Sequence, residues 1–197
     1  SSDLENIKIV EKTSKILFNI DSKIIKQKNW YHIYLPSPYH LARNKHHPFV
    51  FWLIKKGLKL SKSYEKELPA DLLTIPERQI CLFLKHLWST DGNISLLKTK
   101  KGESNIKIYY SSTSKKLIQQ IQYLCLRLGI ISTMRVDRKA NYRHNWNLVI
   151  QGKENQLKFL QLIGSYGKRG ENVNNLILFL NRIKSNRNND VIPKKIW

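Results

Sequence analysis

Acidic side chains are scarce in this sequence. Fourteen Asp and Glu stand against thirty-five Lys and Arg, leaving a formal net charge of +21. Cysteine is scarcer still, with only Cys81 and Cys125, both in apolar helical stretches. A disulfide framework or thiolate metal site has no partners at useful spacing, so both read as small buried hydrophobes. The six histidines lack zinc-ligand spacing, and His46-His47 ahead of Pro48 reads as a loop or the start of a helix. Long hydrophobic runs are missing too. Lys, Asn or Gln interrupts each one before it could span a bilayer, and no signal-peptide pattern is present. A soluble, intracellular chain with no membrane partner is expected.

What remains is a chain able to fold. Its 197 residues are 41% hydrophobic, enough for a core in one domain or two small ones. The basic residues are spread along the whole length, which implies a folded basic surface. Such a surface binds nucleic acid by releasing counterions from phosphates. Asn, Lys and Ile are abundant while Gly and Ala are few, the usage an AT-rich genome such as an organelle's produces. The first residue is Ser, so a piece of a longer or processed product is expected.

One apolar run ends abruptly. Ile80 to Gly92 reads I-C-L-F-L-K-H-L-W-S-T-D-G, with Leu84, Leu87 and Trp88 at helical spacing and a strand-like stretch after Asp91-Gly92. Packing of that helix would hold the Asp91 carboxylate rigidly. Asp-Gly is also a common plain turn. The alternative is a hard oxygen ligand for a divalent cation such as Mg²⁺, able to assist phosphodiester hydrolysis.

The chain repeats itself. Residues 1–20 and 111–130 each begin with paired serines suited to capping a helix, run amphipathically, and stop at Asn19-Ile20 or Gly129-Ile130. Two strands should follow each, the second carrying Asn29-Trp30-Tyr31-His32-Ile33 in one copy and Asn145-Trp146-Asn147-Leu148-Val149 in the other. Helices over about 44–57 and 153–163 should then lead into Ser63-Tyr64-Glu65-Lys66 and Ser165-Tyr166-Gly167-Lys168. The second copy has a further helix and strands near 94–99 and 105–110 upstream of its serines, whereas the first copy has none. The expected boundaries are 1–69 for the end of a first repeat, 70–171 for a whole second repeat with its leading helix at 77–92, and 172–197 for a last helix and tail. Pro69 and Pro76 bracket the joint.

Alternation places Ile106, Ile108 and Tyr110 on one strand face and Lys107 and Tyr109 on the other. An antiparallel saddle with such a polar face suits duplex DNA, since a two-stranded ribbon fits the major groove. The candidate DNA contacts are Lys26, Lys28 and His32 in the first copy. In the second they are Lys98, Lys107, Tyr109, Arg135, Arg138, Arg143 and Asn147.

The run from Phe83 through Trp88 to Gly92 resembles the signature helix of the LAGLIDADG homing endonucleases, with Leu84, Leu87, Asp91 and Gly92 at matching positions. It departs at His86, where the family has a small residue. Lys28-Asn29-Trp30-Tyr31-His32-Ile33-Tyr34-Leu35 and Ser63-Tyr64-Glu65-Lys66 resemble segments of DOD-type endonuclease domains in inteins of cyanobacterial and plastid replicative DNA helicases. The resemblance implies an α+β, duplicated αββαββα fold with antiparallel saddle sheets, the first copy lacking its N-terminal helix and strands. It also implies Mg²⁺ held by Asp91, Lys66 and Lys168 organising active-site water and phosphate, and cleavage of double-stranded DNA at an intein-free allele. A plastid location follows from the same likeness, as does a missing half-repeat in the same parent chain or another. The competing expectations are a catalytically inactive binding module or an RNA-splicing maturase on this fold, and an unrelated basic structural protein.

Overall fold

The computed structural model describes residues 1–58, 61–98, 104–138, 140 and 142–184. Helix α1 (Leu4–Phe18), strands β1 (Lys23–Lys26) and β2 (Tyr31–Tyr34) and helix α2 (Pro48–Lys55) form the first copy. Short 3-10 turns at Ser63–Glu65 and Ala70–Thr74 lead to α3 (Glu77–Thr90), β3 (Gly92–Lys98), β4 (Ser104–Ser112), α4 (Lys115–Arg127), β5 (Thr133–Asp137), β6 (Asn145–Ile150) and α5 (Lys153–Leu162). A 3-10 turn at Gly167–Arg169 and α6 (Val173–Arg182) complete the described chain. This is the expected αββα followed by αββαββα, an α+β fold.

The paired serines do not cap the repeat helices. Asp3 caps α1, accepting from the Glu5 and Asn6 amides at 3.0 and 3.4 Å, and Ser114 caps α4, accepting from the Leu117 amide at 3.1 Å. Three of them use their backbones on strands instead. Ser1 accepts the Tyr31 amide at 2.7 Å, while Ser111 and Ser112 lie opposite Asn147 and Trp146. The two stops behave alike: Asn19 and Gly129 take the left-handed conformation, and the next residues, Ile20 and Ile130, are buried.

All strands are antiparallel, β1 with β2 and the others in the order β3-β4-β6-β5. Ile106, Ile108 and Tyr110 point inward, as alternation predicts, and meet Leu148 and Ile150 of β6. Against that face pack Ile80, Leu84 and Trp88 of α3, Ile118, Ile121 and Leu124 of α4, and Phe159 of α5. Each such side chain removed from water contributes about 1.5–3 kcal/mol before entropy is charged against it. Both cysteines sit in helices, Cys125 fully buried, and burial pushes its thiol up to about 12. No helix among the described residues is long and apolar enough to cross a membrane.

The repeat is out of step in one place. Ile24 lies four residues past Ile20 as Met134 lies four past Ile130, and their cross-strand partners are Ile33 and Leu148. Ile33 therefore holds the inward position of Leu148, and His32 that of Asn147. The Trp30 and Trp146 that match in sequence are displaced by one residue. Half-buried Tyr31 and Ile33 alternating with exposed His32 and Tyr34 agree with this register.

Candidate active site and nucleic-acid interface

Asp91 sits where a helix packed on the core by one face turns directly into a strand. Leu84 and Trp88 have no exposed surface and lock the last turns of α3. The Asp91 amide closes the helix on the Leu87 carbonyl at 3.1 Å, and Gly92 already pairs with Tyr110 in the sheet. Glycine is required there, because a Cβ would fall inside the Trp88 ring and backbone. The carboxylate itself is exposed. Its charge reaches Tyr110, whose phenol is pushed up to about 12, chiefly by burial and secondarily by Asp91.

Both copies secure this helix end. The Ser89 carbonyl accepts from Asn6 of α1 at 3.2 Å and from the Arg169 guanidinium at 2.7 Å, and the Ser89 hydroxyl accepts the Tyr166 amide at 2.7 Å. Tyr166 also lies against His86 and under the Lys85 ammonium, 4.3 Å from its ring centre. His86 is thus partly buried, and burial followed by the Lys85 charge lowers its pKa.

The two Ser-Tyr-x-Lys turns dock crosswise. The Lys168 and Gly167 amides donate to Asp3 and Glu5 of the first copy at 2.8 and 2.6 Å. The Lys66 carbonyl accepts the hydroxyl of Ser114, the cap of α4 in the second copy, at 2.6 Å. Each turn therefore rests on the capped helix start of the opposite copy, and the Lys66 and Lys168 side chains remain exposed. Gly167 has φ 64° and lies where any Cβ would enter the Asp3 carboxylate.

On the open sheet face the structure brings together Lys107, Tyr109, Arg135 and Asn147, around a groove of about 750 Å³. Ser111 and Asp137, absent from the sequence-based candidates, lie on the same face, as strand alternation alone requires. Arg138 follows β5 directly. Arg143 lies over the Tyr64 ring at 3.7 Å, bridging the copies rather than joining the sheet residues. In the first copy His32 shares a face with Trp30 and Tyr34, its Nδ1 hydrogen-bonded to the Tyr34 hydroxyl at 2.9 Å. Lys26 lies on the other face of that ribbon, cross-strand from Tyr31, and Lys28 sits in the turn. The Lys98 side chain lies outside the described residues.

Among the described residues no group of three or more His, Cys, Asp and Glu is arranged to hold a metal ion. A single exposed oxygen ligand fits a hard cation that keeps most of its waters, and Asp91 is of that kind.

Residues 78–164 match the family model described as LAGLIDADG-like domain. The replicative DNA helicase DnaB of Synechocystis sp. is 33% identical over 201 aligned residues, which take in 100% of this chain and 23% of that protein. The DnaB of Nostoc sp. is 34% identical over 90% of this chain and 20% of its own length. The chain thus spans less than a quarter of these relatives. Among solved structures, I-DmoI in complex with DNA and Mn superposes with a TM-score of 0.50 at 18% identity, covering 80% of this chain and 71% of that one. Mesophilic variants of the homing endonuclease I-DmoI superpose with a TM-score of 0.51 at 13% identity, covering 80% and 68%. Residues 78–164 are a LAGLIDADG-like domain, and the chain that contains them has the LAGLIDADG homing-endonuclease fold.

Proposed function

We propose that this chain is the DNA endonuclease domain of an intein lodged in a replicative DNA helicase, cleaving duplex DNA at the uninterrupted insertion site. The single observation that carries this is the fixed Asp91 carboxylate at one end of a polar, basic sheet face, on a fold whose relative I-DmoI is seen in complex with DNA and Mn. Residues 1–69 are then the closing part of one repeat, 70–171 a whole repeat, and 172–197 a helix and tail.

Mg²⁺ is the proposed ion, with Asp91 its protein ligand. Bound there, it would activate water and neutralise charge on the phosphate. The protein's own part is positional. Lys107 and Arg135 attract phosphates, and the amides and hydroxyls of the same face meet base edges. The exposed ammonium groups of Lys66 and Lys168, each presented by a turn docked on the opposite copy, lie free to hold phosphate and water.

A second αββ unit is proposed to complete the first copy. Strand β6 is paired on both sides, by β4 and β5, while among the described residues β2 has only β1 as a full partner. Phe51 and Ile54 of α2 are likewise left exposed. Such a unit, from the same parent chain or another, would bring the second acid.

The test is Mg²⁺-dependent cleavage of duplex DNA spanning the uninterrupted helicase insertion site, by this chain and by a version carrying the preceding residues of its parent. Cleavage by either supports the reading. Failure of both, with preferential binding of structured RNA, would replace it with the maturase alternative.

A further inference from the structure

One residue of the open sheet face runs against its charge. Among the described residues lining the groove, Asp137 is the only carboxylate, two residues along β5 from Arg135 in a chain of net charge +21. No described Lys or Arg lies within ion-pair distance of it. A carboxylate facing a polyanion is repelled by the phosphates. It aids binding only where it meets a hydrogen-bond donor, and it penalises any partner that presents an acceptor.

Its neighbours fix which atoms remain to do this. Asn147 Nδ2 donates to Asp137 Oδ2 at 2.6 Å, and Asn147 Oδ1 accepts from the Ser111 hydroxyl and from Asn145 Nδ2, the latter at 3.3 Å. The amide cannot flip without setting its oxygen against the carboxylate. Within this network one Asp137 oxygen and one Asn147 hydrogen have no partner.

We propose that Asp137, paired with Asn147, discriminates between bases, selecting one that carries an exocyclic amino group over one that carries a carbonyl. The inference rests on the duplex-reading role given above. In the major groove adenine offers N6–H₂ and cytosine N4–H₂, whereas guanine and thymine offer the acceptors O6 and O4. The carboxylate accepts from an amino group and repels a carbonyl oxygen. If the free Asn147 hydrogen also engages, adenine is favoured, because its N7 acceptor lies next to N6. The carboxylate acting alone favours cytosine.

The experiment is selection of bound duplexes from a randomised DNA library by the full chain and by Asp137→Asn, with a salt titration of binding for each. Asparagine keeps an oxygen for the Asn147 amide, so folding is preserved, and a thermal melt verifies that. The wild type should enrich adenine or cytosine at one position by roughly tenfold over guanine and thymine, and the variant should lose most of that preference with its salt slope unchanged. Adenine or cytosine at that position tells whether Asn147 takes part. An unchanged preference in a variant that still binds, or no such preference in the wild type, would sink the discriminating role and leave Asp137 a support for Asn147. Absence of salt-sensitive duplex binding by the wild type would overturn the DNA reading itself, and this inference with it.

Discussion

The carboxylate of Asp3 accepts the backbone N–H of Lys168 at 2.8 Å, joining residues 165 positions apart. The same carboxylate caps α1 through its other oxygen, at 3.0 Å from the Glu5 amide. Its counterpart is Ser114, which caps α4 and reaches the Lys66 carbonyl. One side chain in each copy thus ends a helix and seats the other copy's lysine turn.

Removing that double role should be costly. Asp3→Ala loses a cap, typically about 1 kcal/mol, and leaves the Lys168 and Gly167 turn short of a partner, so a total near 2 kcal/mol is expected. Urea unfolding gives the figure, and Asp3→Asn should recover part of it. A loss within about 0.3 kcal/mol for the alanine variant would show that the turn does not depend on Asp3.

Gly92→Ala should destabilise by about 1–3 kcal/mol, since its methyl would enter the space of Trp88. The change falls next to Asp91, so cleavage should drop more than stability alone explains. Guanidinium melts and a cleavage assay on the same preparation separate the two effects.

Asp91→Asn should abolish cleavage and leave duplex affinity within about twofold, because the carboxylate is exposed and not a mainstay of the phosphate contacts. Lys66→Met and Lys168→Met should slow cleavage about tenfold or more with melting temperature unchanged, since only the turn backbones dock. Equal loss of binding and cleavage in Asp91→Asn would argue against a metal-holding role.

His86 predicts a pH dependence. Burial and then Lys85 lower its folded pKa below the ordinary 6.5, so below that value the unfolded chain binds the extra proton first. Stability present above pH 6.5 should therefore be lost as pH falls from there through the folded value. Denaturant midpoints at neutral and mildly acidic pH, compared with those of His86→Gln, read the effect. The difference between the two pH values should shrink in the variant.

Much of this was legible because it is local. The apolar spacing of α3, its stop at Asp91-Gly92 and the two faces of β4 follow from periodicity, and the structure agrees residue by residue. The helix caps were misread because Ser1, Ser111 and Ser112 spend their backbones on strand pairing, a tertiary matter no capping pattern reveals. The match of Trp30 with Trp146 misled for a related reason. Strand register is set by which side chains are buried, and Ile33 takes the inward place of Leu148 whatever the tryptophans do. Arg143 on Tyr64 and Arg169 on Ser89 join segments distant in sequence, and only the folded chain brings them together.

The absence of any loop between α3 and β3 has a geometric sequel. Asp91 is followed at once by strand residues whose open-face members, Asn93 and Ser95, begin the polar surface. A strand advances about 3.3 Å per residue and a DNA strand about 3.4 Å per nucleotide, so on the proposed reading the carboxylate acts as the zero mark of a ruler laid along the groove. Any sequence this face comes to prefer would be cut at a constant offset, and altering the preference would not move the cut.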